Sequence, residues 1–315
     1  MQDVKTRARG AGAAASARRV GPGRRIGGAL APLLWIGPAI VLIGTVVLWP
    51  VVEMVRTSFL KISSSGLTLG SRGGHNYGDL FHEGDLVHVV VRTLLWVAGV
   101  VIVTMVLSLA LAQLLNARFP GRRVVRWAVI VPWAASVLMT ALVWKWMLDN
   151  YFGLVNRVLM DLGVLDKPVN WLSHPDQAML WMMWVAVFVS LPFASFVILA
   201  GLQTVPGEVY EAARVDGAGS FRTYFRITLP LLRPALLIAS IINVINVFNS
   251  FPIIWAMTQG GPGHATDTST TFMYKIAFFD QNVGESAAMS VVNFVLILVM
   301  VLLYLRASRW REEVS

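Results

Sequence analysis

Six long runs without a charged side chain decide what this chain can fold into. They are Ile26–Val52, Thr93–Leu115, Trp127–Trp144, Ala178–Thr204, Pro234–Thr258 and Ser286–Leu305. A helix rises about 1.5 Å per residue, so about 20 apolar residues cross the ~30 Å hydrocarbon core of a bilayer. Each run reaches or approaches that length. A lone strand would leave its backbone N–H and C=O groups unpaired in lipid, so all six are read as helices. The third is short, and is expected to continue past Lys145 to Leu148 with the lysine amine reaching the interface. Only 14% of the 315 residues are charged and 56% are hydrophobic, whereas soluble chains carry about a quarter charged residues. Twelve tryptophans suit the aromatic belts at the two lipid–water interfaces.

The basic residues give the runs a direction. Segments 1–25, 116–126, 205–233 and 306–315 hold 18 of the 26 Lys and Arg. The positive-inside rule places those segments, and with them both termini, in the cytosol. Residues 1–25 are rich in Arg, Ala and Gly without periodicity and read as a disordered basic tail. They are not read as a cleaved leader, because the apolar run that follows is too long for one. Residues 309–315 read as a second cytosolic tail. The net charge of +9 is explained by topology, and nucleic acid is not expected as a partner.

Several chemistries are excluded by what is missing. There is no cysteine, and His75, His82, His88, His174 and His264 are scattered, with no pair at ligand spacing on one helix face. No Gly-x4-Gly-Lys-[Ser/Thr] phosphate loop is present, so the chain cannot supply ATP chemistry itself. A membrane enzyme would need paired carboxylates or a nucleophile with its base near one face, and neither is found. A proton- or sodium-coupled transporter usually needs ionisable groups at mid-membrane, and the centres of all six runs lack them.

The segment between the fourth and fifth runs is too long for a plain helix-to-helix turn, so it should carry structure of its own. Pro206 suits a helix start, Glu208 and Glu211 lie toward the positive N-terminal end, and Gly217 is a natural C-terminal stop. That predicts a polar helix of about ten residues, too short to cross. Ser220 is expected to cap a second helix that places Phe221, Tyr224 and Phe225 on one face, with Pro230 breaking the chain and Pro234 opening the fifth span.

The pattern Glu211-Ala212-Ala213, three residues, Gly217, then Ile227-Thr-Leu-Pro230 resembles the cytoplasmic signature loop of binding-protein-dependent ATP-binding-cassette (ABC) importer permeases. The resemblance covers roughly residues 31–308. It includes Leu48 and Pro50, the block from Pro132-Trp133 to Trp144-Lys-Trp146, Phe152-Gly153 to Asn156, and Ala200-Gly201-Leu202. Met257-Thr258-Gln-Gly260-Gly261-Pro262-Gly263 with Tyr274-Lys-Ile-Ala-Phe278 is similar to the maltose-type carbohydrate-uptake branch. Gln259 stands where a further Gly is common in that branch, and Asn249 where an Asp is common.

The resemblance implies an all-α, six-span permease of the type I importer fold over residues 26–308, with a core from about 88 to 305 and a coupling loop at 205–233. In the family the short helix docks into a groove on the ATPase. Glu211, Ala212, Ala213, Asp216, Gly217 and Ala218 are therefore the candidate coupling residues. The implied partners are an ATPase dimer that uses ATP and Mg, a second permease, an extracytoplasmic solute-binding protein, a sugar and the bilayer. The chain itself binds no cofactor.

Span five carries Asn243, Asn246 and Ser250 within one narrow stripe at 100° per residue, with Asn249 to its side. Amides are costly against lipid, so the stripe faces a polar pathway for sugar hydroxyls or a partner helix; both readings stand. Trp133 either stacks on a pyranose face or packs and anchors at the interface. Pro192 is expected to kink span four, and Gly260–Gly263 to form an external turn.

Overall fold

The computed structural model describes residues 35–309. The basic tail 1–25, the start of the first run and residues 310–315 lie outside the described residues. The chain divides into two units, one up to Glu53 and one from Met54 onward.

The first unit contains most of helix α1 (Trp35–Thr57), which is long and apolar enough to cross a membrane. Ile43–Leu48 within it is π-helical, and the Trp49 N–H reaches back five residues to the Gly44 carbonyl. Pro50 explains the widening. Its ring has no N–H to donate and would clash with the carbonyl four residues earlier, so the turn before it opens.

The second unit begins with a β-hairpin, β1 (Leu60–Ile62) against β2 (Thr68–Ser71), antiparallel and irregular after Lys61. It is the one sheet among the described residues, in an otherwise helical fold. Short helix α2 (His75–His82) follows. Its buried Asn76 donates to the Ser58 and Leu60 carbonyls at 2.8 and 2.9 Å, which fixes the hairpin to the helix.

Helices α3 (Leu86–Asn116) and α7 (Pro175–Thr204) are the central pair, and α10 (Arg233–Phe248) packs on both. Between α3 and α7 small buried residues allow close approach, among them Thr104, Ser108 and Ala112 facing Ala194 and Ser195. Ser108 and Ser195 both donate to the Leu191 carbonyl, at 3.3 and 2.7 Å. Helix α7 runs on through Pro192 as one element. In lipid such packing, rather than water exclusion, carries most of the association. The C-terminal carbonyls of α3 are taken by two arginines of α4 (Arg122–Trp133): Arg122 reaches Asn116 and Ala117, and Arg126 reaches Leu115. Cations at a helix C-terminus are favourable by charge as well as by hydrogen bonding.

Two expected spans are broken. The third run divides into α4 and α5 (Val137–Met147), separated at Ala134–Ser136. Pro132 removes one N–H from the last turn of α4, and Ser136 is extended at ψ 137°. The fifth run divides at Asn249–Ser250 into α10 and α11 (Phe251–Met257). Pro252 cannot donate to the Phe248 carbonyl and would clash with it, so the helix restarts with proline in its first turn. Lys145 of α5 donates to the Ala256 carbonyl at 2.9 Å, so its amine caps the end of α11.

Between α5 and α7, short helix α6 (Leu154–Asp161) is pinned by buried Asn156. That side chain accepts from Trp171 Nε1 at 2.9 Å and donates to the Val169 carbonyl at 2.9 Å. Asp149 Oδ1 accepts the N–H groups of Phe152 and Tyr151, which hold its carboxyl below the usual aspartate range.

Helix α8 (Gly207–Val215) precedes α9 (Ser220–Leu231), which meets α10 at a 65° bend. Ser220 is the first residue of α9, and Gly219 occupies the cap position expected of the serine. The chain stays helical through Pro230 and bends at Leu232 instead. The disturbance falls one turn earlier, where Tyr224–Thr228 is π-helical, as before Pro50. Helices α12 (Ser269–Phe278) and α13 (Val283–Arg309) complete the described chain. Among the described residues α1, α3, α7 and α13 are long and apolar enough to span, and α9 and α10 pass the same test when taken together across their bend.

Candidate functional site

Three places bring functional side chains together. The first is α8. Pro206 precedes it in an extended conformation, and Glu208 lies in its first turn. At the other end the N–H of Ala218 bonds the Ala213 carbonyl at 2.9 Å, and Gly217 has φ +72°. This is a Schellman closure with glycine in the left-handed position. Ala213 is buried and Tyr210 half-buried, so the helix has an inner face. Glu211, Ala212 and Asp216 are exposed on the other side, together with Val215 at 87%. Beneath the inner face, Tyr210 and Arg214 line a hollow of about 320 Å³ with Gln113 and Asn116 at the end of α3 and Ser220 and Thr223 of α9. Phe221, Tyr224 and Phe225 do share a face, with ring centroids 4.5 and 5.1 Å apart along the row.

The second place is where the two broken runs meet. A hollow of about 490 Å³ is lined by Trp133 from the end of α4, by Asn243 and Asn246 of α10, and by Asn249 and Ser250 at the α10–α11 break. All five pathway candidates thus border one space. Sequence reasoning missed the other side of it, Ser190 and Phe193 of α7 with Val137 of α5, because nothing in an apolar run marks which face meets a cavity. The polar groups of the lining differ in freedom. Ser250 donates to the Val247 carbonyl at 2.6 Å and accepts from the indole of fully buried Trp96 at 3.0 Å, so it serves the break. Asn249 donates to Ile245 at 2.9 Å. Asn246 is exposed, and the buried amide nitrogen of Asn243 has no acceptor among the described residues. Broken helices at membrane depth are tolerated where the irregular backbone lines a cavity.

The third place is the loop after α11. Asp267 is fully buried, and its Oδ2 accepts from Lys275 Nζ and His264 Nδ1, both at 2.7 Å. Lys275 also donates to the Gly263 carbonyl at 2.8 Å, and Arg92 of α3 donates to the carbonyls of His264 and Asp267 at 2.8 and 3.1 Å. Gly260 has φ +76°, and a side chain there would collide with the Asp267 carboxylate. The expected external turn is therefore a charged staple that ties the loop to α3 and α12. The signal was present in Asp267 and Lys275, an acid and a base eight residues apart beside a glycine-rich turn. Gln259, where the similar branch commonly has glycine, adopts φ +54°.

Known proteins resemble the chain over most of its length. The family model described as the inner membrane component of binding-protein-dependent transport systems matches residues 104–312. A probable ABC transporter permease protein of Brucella suis biovar 1 (strain 1330) is 37% identical over 282 residues, 90% of this chain and 98% of the relative. The trehalose/maltose transport system permease protein of Thermococcus litoralis is 40% identical over 211 residues, 66% of this chain and 70% of the relative. A solved bacterial ABC transporter involved in import of the acidic polysaccharide alginate has the same fold. Its TM-score is 0.78 at 21% identity, covering 90% of this chain and 98% of that one. With the coverage of the family model and the shared fold, this chain belongs to the inner membrane permease components of binding-protein-dependent ABC transport systems.

Proposed function

We propose that the chain forms half of the translocation pore of an ATP-driven saccharide importer. The observation that carries this reading is the hollow at the two helix breaks, where Asn243, Asn246 and Asn249 stand beside Trp133. Sugar hydroxyls both donate and accept, and carboxamides offer both functions without a charge in the membrane. Trp133, half exposed, offers a ring face to a pyranose. The similarity to a trehalose/maltose permease supports the same class of cargo.

In this reading a second permease closes the other side of the pore, and an extracytoplasmic binding protein delivers the saccharide. Two ATPase subunits bind ATP and Mg, and the chain itself binds no cofactor. Both termini and α8 are cytosolic, which the basic segments support. The exposed face of α8 sits in the ATPase groove through Glu211, Ala212, Asp216, Gly217 and Ala218, with Ala213 turned to the permease side. Closure of the ATPase pair on ATP then favours the outward-open pore, a population shift transmitted through α8.

Asn246→Leu should lower saccharide uptake roughly three- to tenfold, the value of one neutral hydrogen bond in rate. The measurement is uptake per assembled complex in proteoliposomes. Wild-type uptake in Asn243→Leu, Asn246→Leu and Asn249→Leu would instead assign the amides to packing against the second permease.

A further inference from the structure

Every described side chain that lines the amide hollow is uncharged: carboxamides, hydroxyls, one indole, one phenyl ring and aliphatic groups. The cations of the lining helices stand away from it and are spent elsewhere. On α4 the nearest is Arg126, seven residues before Trp133 and about 10 Å along the axis, with a terminal nitrogen on the Leu115 carbonyl. On α5 it is Lys145, eight residues past Val137 and about 12 Å away, held by the Ala256 carbonyl. Helices α7 and α11 carry no Lys or Arg, and on α10 Arg233 comes ten residues before Asn243. In the loop after α11, Arg92 and Lys275 are committed to loop carbonyls and to Asp267. At each break the C-terminal end of one helix adjoins the start of the next, α4 before α5 and α10 before α11. The partial positive charge of each start is thereby offset.

Such a lining discriminates by charge. We propose that the hollow admits uncharged saccharides and refuses those that carry a carboxylate, sulfonate or phosphate, a selectivity that rests on the saccharide reading given above and narrows it. A hydroxyl exchanges its hydrogen bonds with water for bonds to carboxamides at little cost, because each partner both donates and accepts. An anion must give up much stronger hydration, which only a cation or several converging donors replace. Here Asn249 and Ser250 donate to the backbone, which leaves the amides of Asn243 and Asn246. Each of those amides also carries a carbonyl oxygen, which repels an anion. Two separate amides do not replace the lost water. Two sugars of the same ring and shape are therefore told apart by charge alone.

The test uses the full importer in proteoliposomes with a panel of radiolabelled neutral saccharides. One that the wild type transports is then compared with the uronate of the same ring. Because the chain has no cysteine, Ser190→Cys on α7, or Val137→Cys on α5, places its one thiol in the lining of the hollow. On the variant that keeps uptake, labelling of this chain by N-ethylmaleimide is followed without the binding protein, so the selectivity read is that of the pore. The transported sugar should slow labelling, and the uronate should need at least about a hundredfold higher concentration for the same effect. Asn246→Lys in the same background should narrow that gap at least about tenfold. Equal protection by the two sugars overturns the charge rule and leaves the saccharide reading standing. A uronate still refused by Asn246→Lys assigns the refusal to shape and overturns the rule as well. A wild type that transports no saccharide of the panel overturns the cargo reading and the rule with it.

Discussion

Gly217→Val should leave the chain inserted and abolish most ATP-driven uptake, by at least about tenfold, while Gly217→Asn retains much of it. The reason is in the backbone. At φ +72° a β-branched residue is strained by roughly 1–3 kcal/mol, whereas asparagine tolerates the left-handed region. No neighbour lies within 4 Å of a Cβ built there, so the cost is conformational and local. It falls on the closure that brings the Ala218 N–H to the Ala213 carbonyl. Nine residues are too few for a helix to persist without such closure and tertiary contacts. Glu211→Ala acts differently. It leaves the helix intact and removes an exposed carboxylate from the face assigned to the ATPase, so it should weaken ATPase co-purification or uncouple hydrolysis from uptake. The three readings, uptake, ATP turnover and co-purification, separate a lost helix from a lost contact. Wild-type values for both variants in all three would remove α8 from the coupling path.

The charged staple should show the largest effect on stability. Lys275→Met leaves the buried Asp267 carboxylate with His264 as its one side-chain partner among the described residues, and breaking such a buried pair typically costs about 3–5 kcal/mol. Gly260→Ala attacks the same place from the opposite side, by driving a methyl group into Asp267 at an unfavourable φ. Each variant should lower the thermal midpoint of the purified complex by roughly 10 °C. Gly263→Ala is the control, because it also has positive φ but open space around its Cβ, and its effect should be smaller. Equal midpoints for Gly260→Ala and the wild type would mean that the loop is not held by this contact.

Several features were readable from residues because a single physical rule governs each. Absence of charge over 23 residues from Thr93 to Leu115 leaves a membrane helix as the one outcome, and α3 contains that run. Pro206 and Gly217 bracket α8 because one fits only a helix start and the other a left-handed stop. The amide stripe of α10 could be found because polar groups stand out against an apolar background. Other features were hidden for equally physical reasons. Prolines 132 and 252 were visible, but whether a membrane proline bends, widens or breaks a helix depends on what receives the freed carbonyls. At the α10 break Trp96, 151 positions away in sequence, donates to the carbonyl of Val247, next to Phe248. Pro50 and Pro230 instead widen the preceding turn into a π-helix. The hairpin is hard to see in the sequence because its strands are only three and four residues long, although Leu60-Lys-Ile62 and the Ser63–Gly66 turn carry the usual strand and turn pattern. The partners of Asp267 come from α3 and α12 as well as its own loop, and only the fold brings them together.

ATP-driven accumulation by the reconstituted complex tests most directly whether this chain is the pore of an energised importer. Proteoliposomes would carry the permease pair and ATPase, with ATP and Mg trapped inside and the binding protein with labelled saccharide outside. Saccharide should concentrate in the lumen above its external level when ATP is present, and not with a non-hydrolysable analogue. Accumulation that persists without ATP, or that follows an imposed proton or sodium gradient, would contradict the assignment.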